Sequence, residues 1–315
     1  MNSSFLLFGV LNTLFILLIS PLFMSLIKKV KAYSQGRRGP PLLQSYYTIA
    51  KLFKKECVYS DTSSGITRVT PYLSLAVMLV ASLFVPVVFI PEPFGGIGNV
   101  ILFLYLLALA KFFTALVGLD AGSTFGGMGS SREMSISAVV EPITIMAFAA
   151  LAFTLGTTNL HEMFAQTSQL SAELDPMLIL AVVPLLIALI TETARIPVDN
   201  PETHLELTMI HEGMILEYSG RDLALIELSH AIKQTLLVAV VVNLILPWGL
   251  LVPAGIPLIA IGIAMLFFFV KAFIVSACIG LFESSIAKMR LFNLPNFFAI
   301  GFFFSILTIL LKVFR

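Results

Sequence analysis

Met177-Leu-Ile-Leu-Ala-Val-Val-Pro-Leu-Leu-Ile-Ala-Leu-Ile-Thr191 runs without a charge straight into Glu192-Thr-Ala-Arg195-Ile-Pro197-Val-Asp199-Asn-Pro201-Glu202. Glu206, Glu212 and Glu217-Tyr218-Ser219-Gly220 follow, so six carboxylates and no lysine lie between Glu192 and Gly220. Acids at the edge of an apolar run are costly, by roughly a few kcal/mol each at membrane depth, and they mark ion or proton paths. The competing explanation is a hydrophilic loop between two spans. Such a loop would not need acids that continue into the flanking apolar helices.

The rest of the chain fits that setting. Of 315 residues, 58% are hydrophobic and only 12% charged, where a soluble domain carries about one-quarter. This is the composition of an all-α integral membrane protein. A net charge of +1 does not by itself decide about nucleic acid, and no nucleic-acid partner is expected of this class. Cys57 and Cys278 are too few and too far apart for an iron–sulfur or zinc site, and read as unpaired packing residues. The first apolar segment lacks a basic region before it and a small-residue cleavage site after it, so it reads as a retained span.

A bilayer core needs about 20 apolar residues per helix. Eight runs qualify: residues 5–27, 71–90, 99–117, 134–156, 177–191, 223–246, 257–282 and 296–313. The fifth is short and is expected to continue through Ile196 to the Pro197 break. No repeat and no separate soluble domain is visible, so residues 1–315 read as one polytopic unit. The odd connections carry Lys28, Lys29, Lys31, Arg37, Arg38, Lys51, Lys54, Lys55, Arg68, Arg132, Arg221, Lys288 and Arg290; the even ones carry no lysine or arginine. The positive-inside rule makes the odd connections cytoplasmic and puts both termini outside, against Lys312 and Arg315 alone.

The first connection opens with Gln35-Gly36-Arg37-Arg38-Gly39-Pro40, a fixed non-helical path. Leu42, Leu43, Tyr46, Tyr47, Ile49, Ala50 and Phe53 then recur at helical spacing opposite Lys51, Lys54 and Lys55. That pattern is an amphipathic surface helix. It could serve as a lipid anchor or as a platform for a soluble partner, with Arg37 and Arg38 leading into it. The third connection, residues 118–133, contains Asp120, Gly122, Gly126, Gly127, Gly129 and Arg132. It reads as a loop allowing close backbone approach to a partner or cofactor, but no Gly-Lys-Ser/Thr follows to make it a phosphate loop.

Titratable groups continue inward from both connections. Glu141 lies deep in the fourth run and is a relay candidate. In the fifth connection Asn200 and Pro201 suit a helix start. Glu202 and Glu206 would then share a face and repel, which raises the pKa of one of them. Pairing with Arg195 is the structural competitor. On the sixth run Glu227, His230 and Lys233 extend the polar track. Lys111 is left open, and Glu283 is expected to cap its helix or pair with Lys288.

Gln35-Gly-Arg-Arg38-Gly-Pro40, Lys51-Leu-Phe-Lys54-Lys-Glu56 and the acidic stretch from Glu192 to Glu202 resemble the core membrane subunit of respiratory complex I (NADH dehydrogenase subunit 1). Within that superfamily, Gly118-Leu-Asp120-Ala-Gly-Ser123, Ser131-Arg-Glu133, Glu141-Pro142 and Glu212-Gly213 before Glu217-Tyr-Ser-Gly220 resemble the membrane-anchor subunit of group 4 membrane-bound NiFe hydrogenases, of the formate hydrogenlyase type. Ala194 and Pro197-Val-Asp199 depart from the complex I pattern, and His211-Glu212 departs from both branches.

The resemblance implies a non-catalytic subunit of a prokaryotic inner-membrane complex, holding no cofactor itself. The NiFe centre and the iron–sulfur clusters would reside in soluble large, small and iron–sulfur subunits docked on the first, third and fifth connections through Arg37, Arg38, Arg132 and Arg195. Glu141, Glu192, Asp199, Glu202, Glu206, Glu212, Glu217, His230 and Lys233 would pass a charge change toward antiporter-like membrane subunits, moving protons or sodium. The alternative is the quinone-site and proton-coupling subunit of NADH:quinone oxidoreductase. A stand-alone transporter would need broken helices in related halves, and no inverted repeat is visible.

Overall fold

In lipid every backbone polar group must be satisfied within the protein, which leaves helices as the way for these apolar runs to cross. The computed structural model describes residues 3–90, 98–169, 176–200, 209–251 and 258–314. The helices are α1 (Ser3–Ser34), α2 (Gln44–Phe53), α3 (Gly65–Ser82), α4 (Val100–Asp120), α5 (Thr124–Leu155), α6 (Leu160–Gln169), α7 (Pro176–Glu192), α8 (His211–Met214), α9 (Gly220–Ile245), α10 (Leu258–Ser285) and α11 (Leu294–Phe314). Among the described residues seven helices are long and apolar enough to span a membrane, and α7 is a shorter apolar helix. Together they account for the eight runs, so the chain is an all-α, multi-pass membrane protein.

Helix α9 is the interior element. Of its apolar window 78% is buried, against 28% for α10 and 22% for α11, whose outer faces are left to lipid or to a neighbour. It packs on α1, α3, α7 and α10, through a side that is aliphatic from Leu236 to Val242. The odd connections all meet on one face of the bundle, here called the basic face. Asp120 accepts from Ser64 N at 2.9 Å and from Thr67 Oγ1 at 2.6 Å, Ser219 Oγ accepts from Val58 N at 2.8 Å, and Lys288 Nζ lies 2.7 Å from Asp199.

Four boundaries differ from the sequence reading, each for a local reason. The fifth span does not continue to Pro197. Helix α7 stops at Glu192, where Ala194 takes φ 49° and Arg195 N donates to Ile190 O at 2.9 Å. That is a left-handed helix closure with alanine where glycine is usual. The second span starts earlier, because Ser64 accepts from Ile66 N and caps α3; it ends at Ser82 rather than residue 90. Residues 83–90 form buried non-helical chain, held by Asn12 on Val88 and Phe89 and by Asn243 on Pro86 and Val87.

The third connection is not a glycine loop. Ser123 accepts from Gly126 N at 3.1 Å and starts α5 at Thr124, which leaves a three-residue turn after α4. Its glycines serve a close approach inside the chain: a Cβ on Gly126 would fall 2.5 Å from Gly118 O, and one on Gly129 would fall 2.8 Å from Ile210 O. The Glu283–Lys288 pair does not form. Lys288 pairs with Asp199, and Glu283 faces Arg195 and Lys31.

Candidate functional site

Where α7 ends against α4 and α9, Glu192 meets two lysines. Lys111 Nζ lies 2.6 Å from its Oε1 and Lys233 Nζ lies 2.7 Å from its Oε2. Lys111 comes from α4, 81 residues away in sequence, and this tertiary contact gives its ammonium a reason to sit mid-helix. Two cations on one carboxylate leave the row with an excess positive charge. Burying it is tolerable only while the pairing geometry holds, because an ion taken out of water costs several kcal/mol unless compensated.

Among the described residues, three cavities that share walls border Glu192. One of about 70 Å³ opens beneath the basic face and is lined by Lys28, Asp199, Glu212 and Glu227. A second of about 30 Å³ is lined by Lys111 and Glu133. Both also touch Glu192, His211, His230 and Lys233. The third, about 280 Å³, lies between α4 and α5; Lys111 and Glu192 stand at one end and Glu141 lines it among apolar side chains such as Ile101, Leu104 and Tyr105. Glu141 itself is exposed on α5, at a depth where exposure means lipid or another membrane protein. The order of polar groups is therefore basic face, His pair, Glu192 row, lateral cavity.

A second buried cluster fixes the base of the fifth connection. Arg195 is 4% exposed and reaches Glu283 at 3.2 Å and the Gln234 side chain, not Glu192; Lys31 adds a second cation 3.6 Å from Glu283. Asp199, 2% exposed, pairs with Lys288 and accepts from Asn200 N at 2.8 Å and from His211 N at 3.1 Å. Arg132 donates to Met209 O at 3.1 Å and so holds the returning end of the same connection. Arg195 and Arg132 thus brace the connection from within, whereas Arg37 and Arg38 are exposed on the turn after α1.

That turn is built as the sequence requires. Gly36 at φ 71° closes α1, and Arg37 N donates to Ala32 O at 2.8 Å. Helix α2 buries none of its residues and leaves Tyr47 and Phe53 outward, with Tyr46 hydroxyl donating to Leu18 O. The Glu217-Tyr-Ser-Gly220 segment is a junction between connections. Tyr218 hydroxyl donates to Thr67 O at 2.9 Å, and Gly220, at φ 54°, lies where a Cβ would fall 2.3 Å from Glu56 O. Beside it Tyr59 donates to Asp222 at 2.6 Å, and that carboxylate pushes the phenol up to about 12.

Not every residue singled out in the sequence joins the row. Glu217 is exposed at the basic face and touches neither the row nor its cavities. Glu202 and Glu206, with the Pro201 helix start, lie outside the described residues. Conversely, the sequence alone leaves Lys111 open and gives Glu133 and His211 no place among the site residues. His211 Nε2 lies 2.7 Å from one ring nitrogen of His230 and 3.0 Å from the other.

Comparison with known proteins now decides the family. The NADH dehydrogenase family model matches residues 7–313. The chain belongs to the NADH dehydrogenase family. It is 33% identical over 303 residues to formate hydrogenlyase subunit 4 of Escherichia coli K12, covering 96% of each chain. Against hydrogenase-4 component C of the same organism it is 37% identical, covering 77% of this chain and 76% of the relative. An NADH-quinone oxidoreductase subunit of Wolbachia pipientis wMel is 29% identical over 68% of this chain and 69% of the relative. A chain in the structure of an archaeal respiratory membrane complex, the membrane-bound sulfane sulfur reductase, shares the fold with TM-score 0.80 at 18% identity, covering 96% of this chain and 99% of that one.

For this member of the NADH dehydrogenase family the acidic signature divides into two jobs. Glu192 enters the ion-pair row, while Arg195 and Asp199 anchor the connection that follows. Among the described residues no group of three or more His, Cys, Asp or Glu is placed to hold a metal, and Cys57 and Cys278 are free.

Proposed function

We propose that this chain is the membrane subunit of a respiratory-type hydrogenase complex, anchoring a soluble NiFe arm and coupling its electron transfer to proton or sodium movement. The observation that carries the reading is the buried Lys111–Glu192–Lys233 row, set directly beneath the fifth connection and continuous with the Glu141 cavity. A charge change on the basic face acts on Asp199 and His211, which share the outer cavity with Glu192 and Lys233. Shifting one proton in a row with two cations and one carboxylate alters every neighbour, since such groups interact strongly at low effective dielectric. Glu141 then faces a neighbouring antiporter-like membrane subunit. The soluble arm docks on the exposed Arg37–Arg38 turn and the outward face of α2, and the NiFe centre and iron–sulfur clusters belong to that arm.

The hydrogenase relatives, at 33% and 37% identity, support this reading over a quinone-reducing subunit, where the Wolbachia relative stands at 29%. The deciding experiment is to purify the tagged chain from its own membranes in mild detergent and identify what comes with it. NiFe large and small subunits uphold the proposal. A quinone- and NADH-linked set overturns it. The basic face is assigned to the cytoplasm and the termini to the exterior. Reporter fusions at Gly95 and Ala172 should report outside and one at Ser63 inside; the reverse pattern would refute the orientation.

A further inference from the structure

His211 on α8 and His230 on α9, 19 residues apart, meet with tilted rings, centroids 4.1 Å apart at an interplanar angle of 37°, and with His211 Nε2 at 2.7 and 3.0 Å from the two His230 nitrogens. At that separation one ring must donate and the other accept, so the pair holds a shared proton and cannot carry two charges. The surroundings agree. Burial, then the Lys233 and Lys111 ammoniums, hold His211 down to about 3, so it rests neutral.

The pair also occupies a boundary. Both rings line the outer cavity with Lys28, Asp199, Glu212 and Glu227, and both line the inner cavity with Lys111 and Glu133. Glu192 and Lys233 border the two together. A volume of about 30 Å³ is enough for a water. Glu212, on the outer side, is a natural proton source: burial and the nearby Glu227 charge push its carboxyl up to about 7.

We propose that the His211–His230 pair is the proton-transfer junction between the fifth connection and the Glu192 row. This rests on the coupling reading above and names where the proton crosses. A proton from the outer cavity adds to the free ring nitrogen of His211, and the His211 Nε2 proton passes to a nitrogen of His230. His230 releases the proton on its other nitrogen to the inner cavity, toward Glu192 or Glu133. One proton enters and one leaves, so the pair ends neutral and resets by exchanging tautomers. Imidazole suits the position because it accepts at one nitrogen while donating at the other.

The test uses the whole complex in inverted membrane vesicles, with dihydrogen chemistry and proton movement measured together. His211→Gln and His230→Gln should each lower proton movement by about a hundredfold or more, the scale of a lost proton-transfer group, while dihydrogen chemistry with an artificial electron donor persists. Added imidazole should restore movement in His211→Ala, which a purely structural role would not allow. If Glu192→Gln abolishes movement while both histidine variants keep it, the junction is wrong and the coupling reading stands. Should the Glu192 variant also keep it, the coupling reading itself fails. A loss in His211→Ala that imidazole does not restore, in a complex of normal assembly, also overturns the junction.

Discussion

Arg195 passes over Glu192, its neighbour in sequence, and pairs with Glu283 at 3.2 Å from the end of α10. The pair ties the fifth connection to α10, and with Lys31 nearby it ties both to α1. Arg195→Gln leaves the Glu283 carboxylate, 2% exposed, with Lys31 alone. Breaking one side of a buried pair costs about 3–5 kcal/mol. The expected outcome is a lower thermal midpoint of the purified chain and poor assembly. Adding Glu283→Gln should recover only part of the loss, because it removes the unbalanced carboxylate but also takes the anion away from Lys31, 3.6 Å distant. A double variant as unstable as the single would show that the cost lies elsewhere.

Gly220→Ala tests the junction between the first and fifth connections. Alanine there must hold φ 54° and place a Cβ 2.3 Å from Glu56 O, a backbone atom that cannot rotate away. The change should cost about 1–3 kcal/mol through backbone strain. Residues 56–60 should become sensitive to limited proteolysis, since Ser219 no longer holds Val58 at 2.8 Å. Unchanged protease resistance would mean that the two connections do not depend on this contact.

How far the sequence revealed these arrangements depends on the range of the physics involved. The spans were legible because an apolar run long enough to cross a bilayer is a local property. So was the Gly36 turn, whose partner Ala32 is nearby in sequence. The end of α7 was not, since Glu192 is fixed there by Lys111 and Lys233, 81 and 41 positions away. The glycines after Asp120 read as a loop because glycine disfavours helix, yet here they let α4, α5 and α8 approach closely. His211 carried no signal of its own until α9 brought His230 beside it. The one clue was that His211-Glu212 broke the family pattern.

Glu212 gives a pH signature with a definite sign. Its carboxyl is raised from the ordinary 4.5 to about 7, first by burial and then by Glu227. Between those values the folded chain holds a proton that the unfolded chain has lost, so stability falls as pH rises through that window and levels off above it. Glu212→Gln removes this dependence. Relative to wild type it should gain about 2 kcal/mol between pH 5 and pH 8, allowing for the partial exposure of the side chain. Melting curves at the two pH values measure the difference directly. Parallel curves for both proteins would exclude a buried proton on Glu212.

Glu192→Gln is the decisive change for coupling. Glutamine keeps the length and one acceptor oxygen, but it removes both the titratable group and the negative charge paired with Lys111 and Lys233. If Glu192 carries the proton, translocation by the assembled complex should fall by about a hundredfold or more, while dihydrogen chemistry in the soluble arm continues with an artificial donor. If the residue serves only to neutralise the lysines, two orphaned cations should prevent assembly, at a cost of several kcal/mol. Glu192→Asp then separates the cases. It restores the charge, so a structural role predicts recovered assembly and recovered translocation together. A relay role predicts recovered assembly with translocation still impaired, because the proton-carrying oxygens are drawn back by one methylene from the cavities they border. Full assembly with undiminished translocation in Glu192→Gln would remove the row from the path altogether.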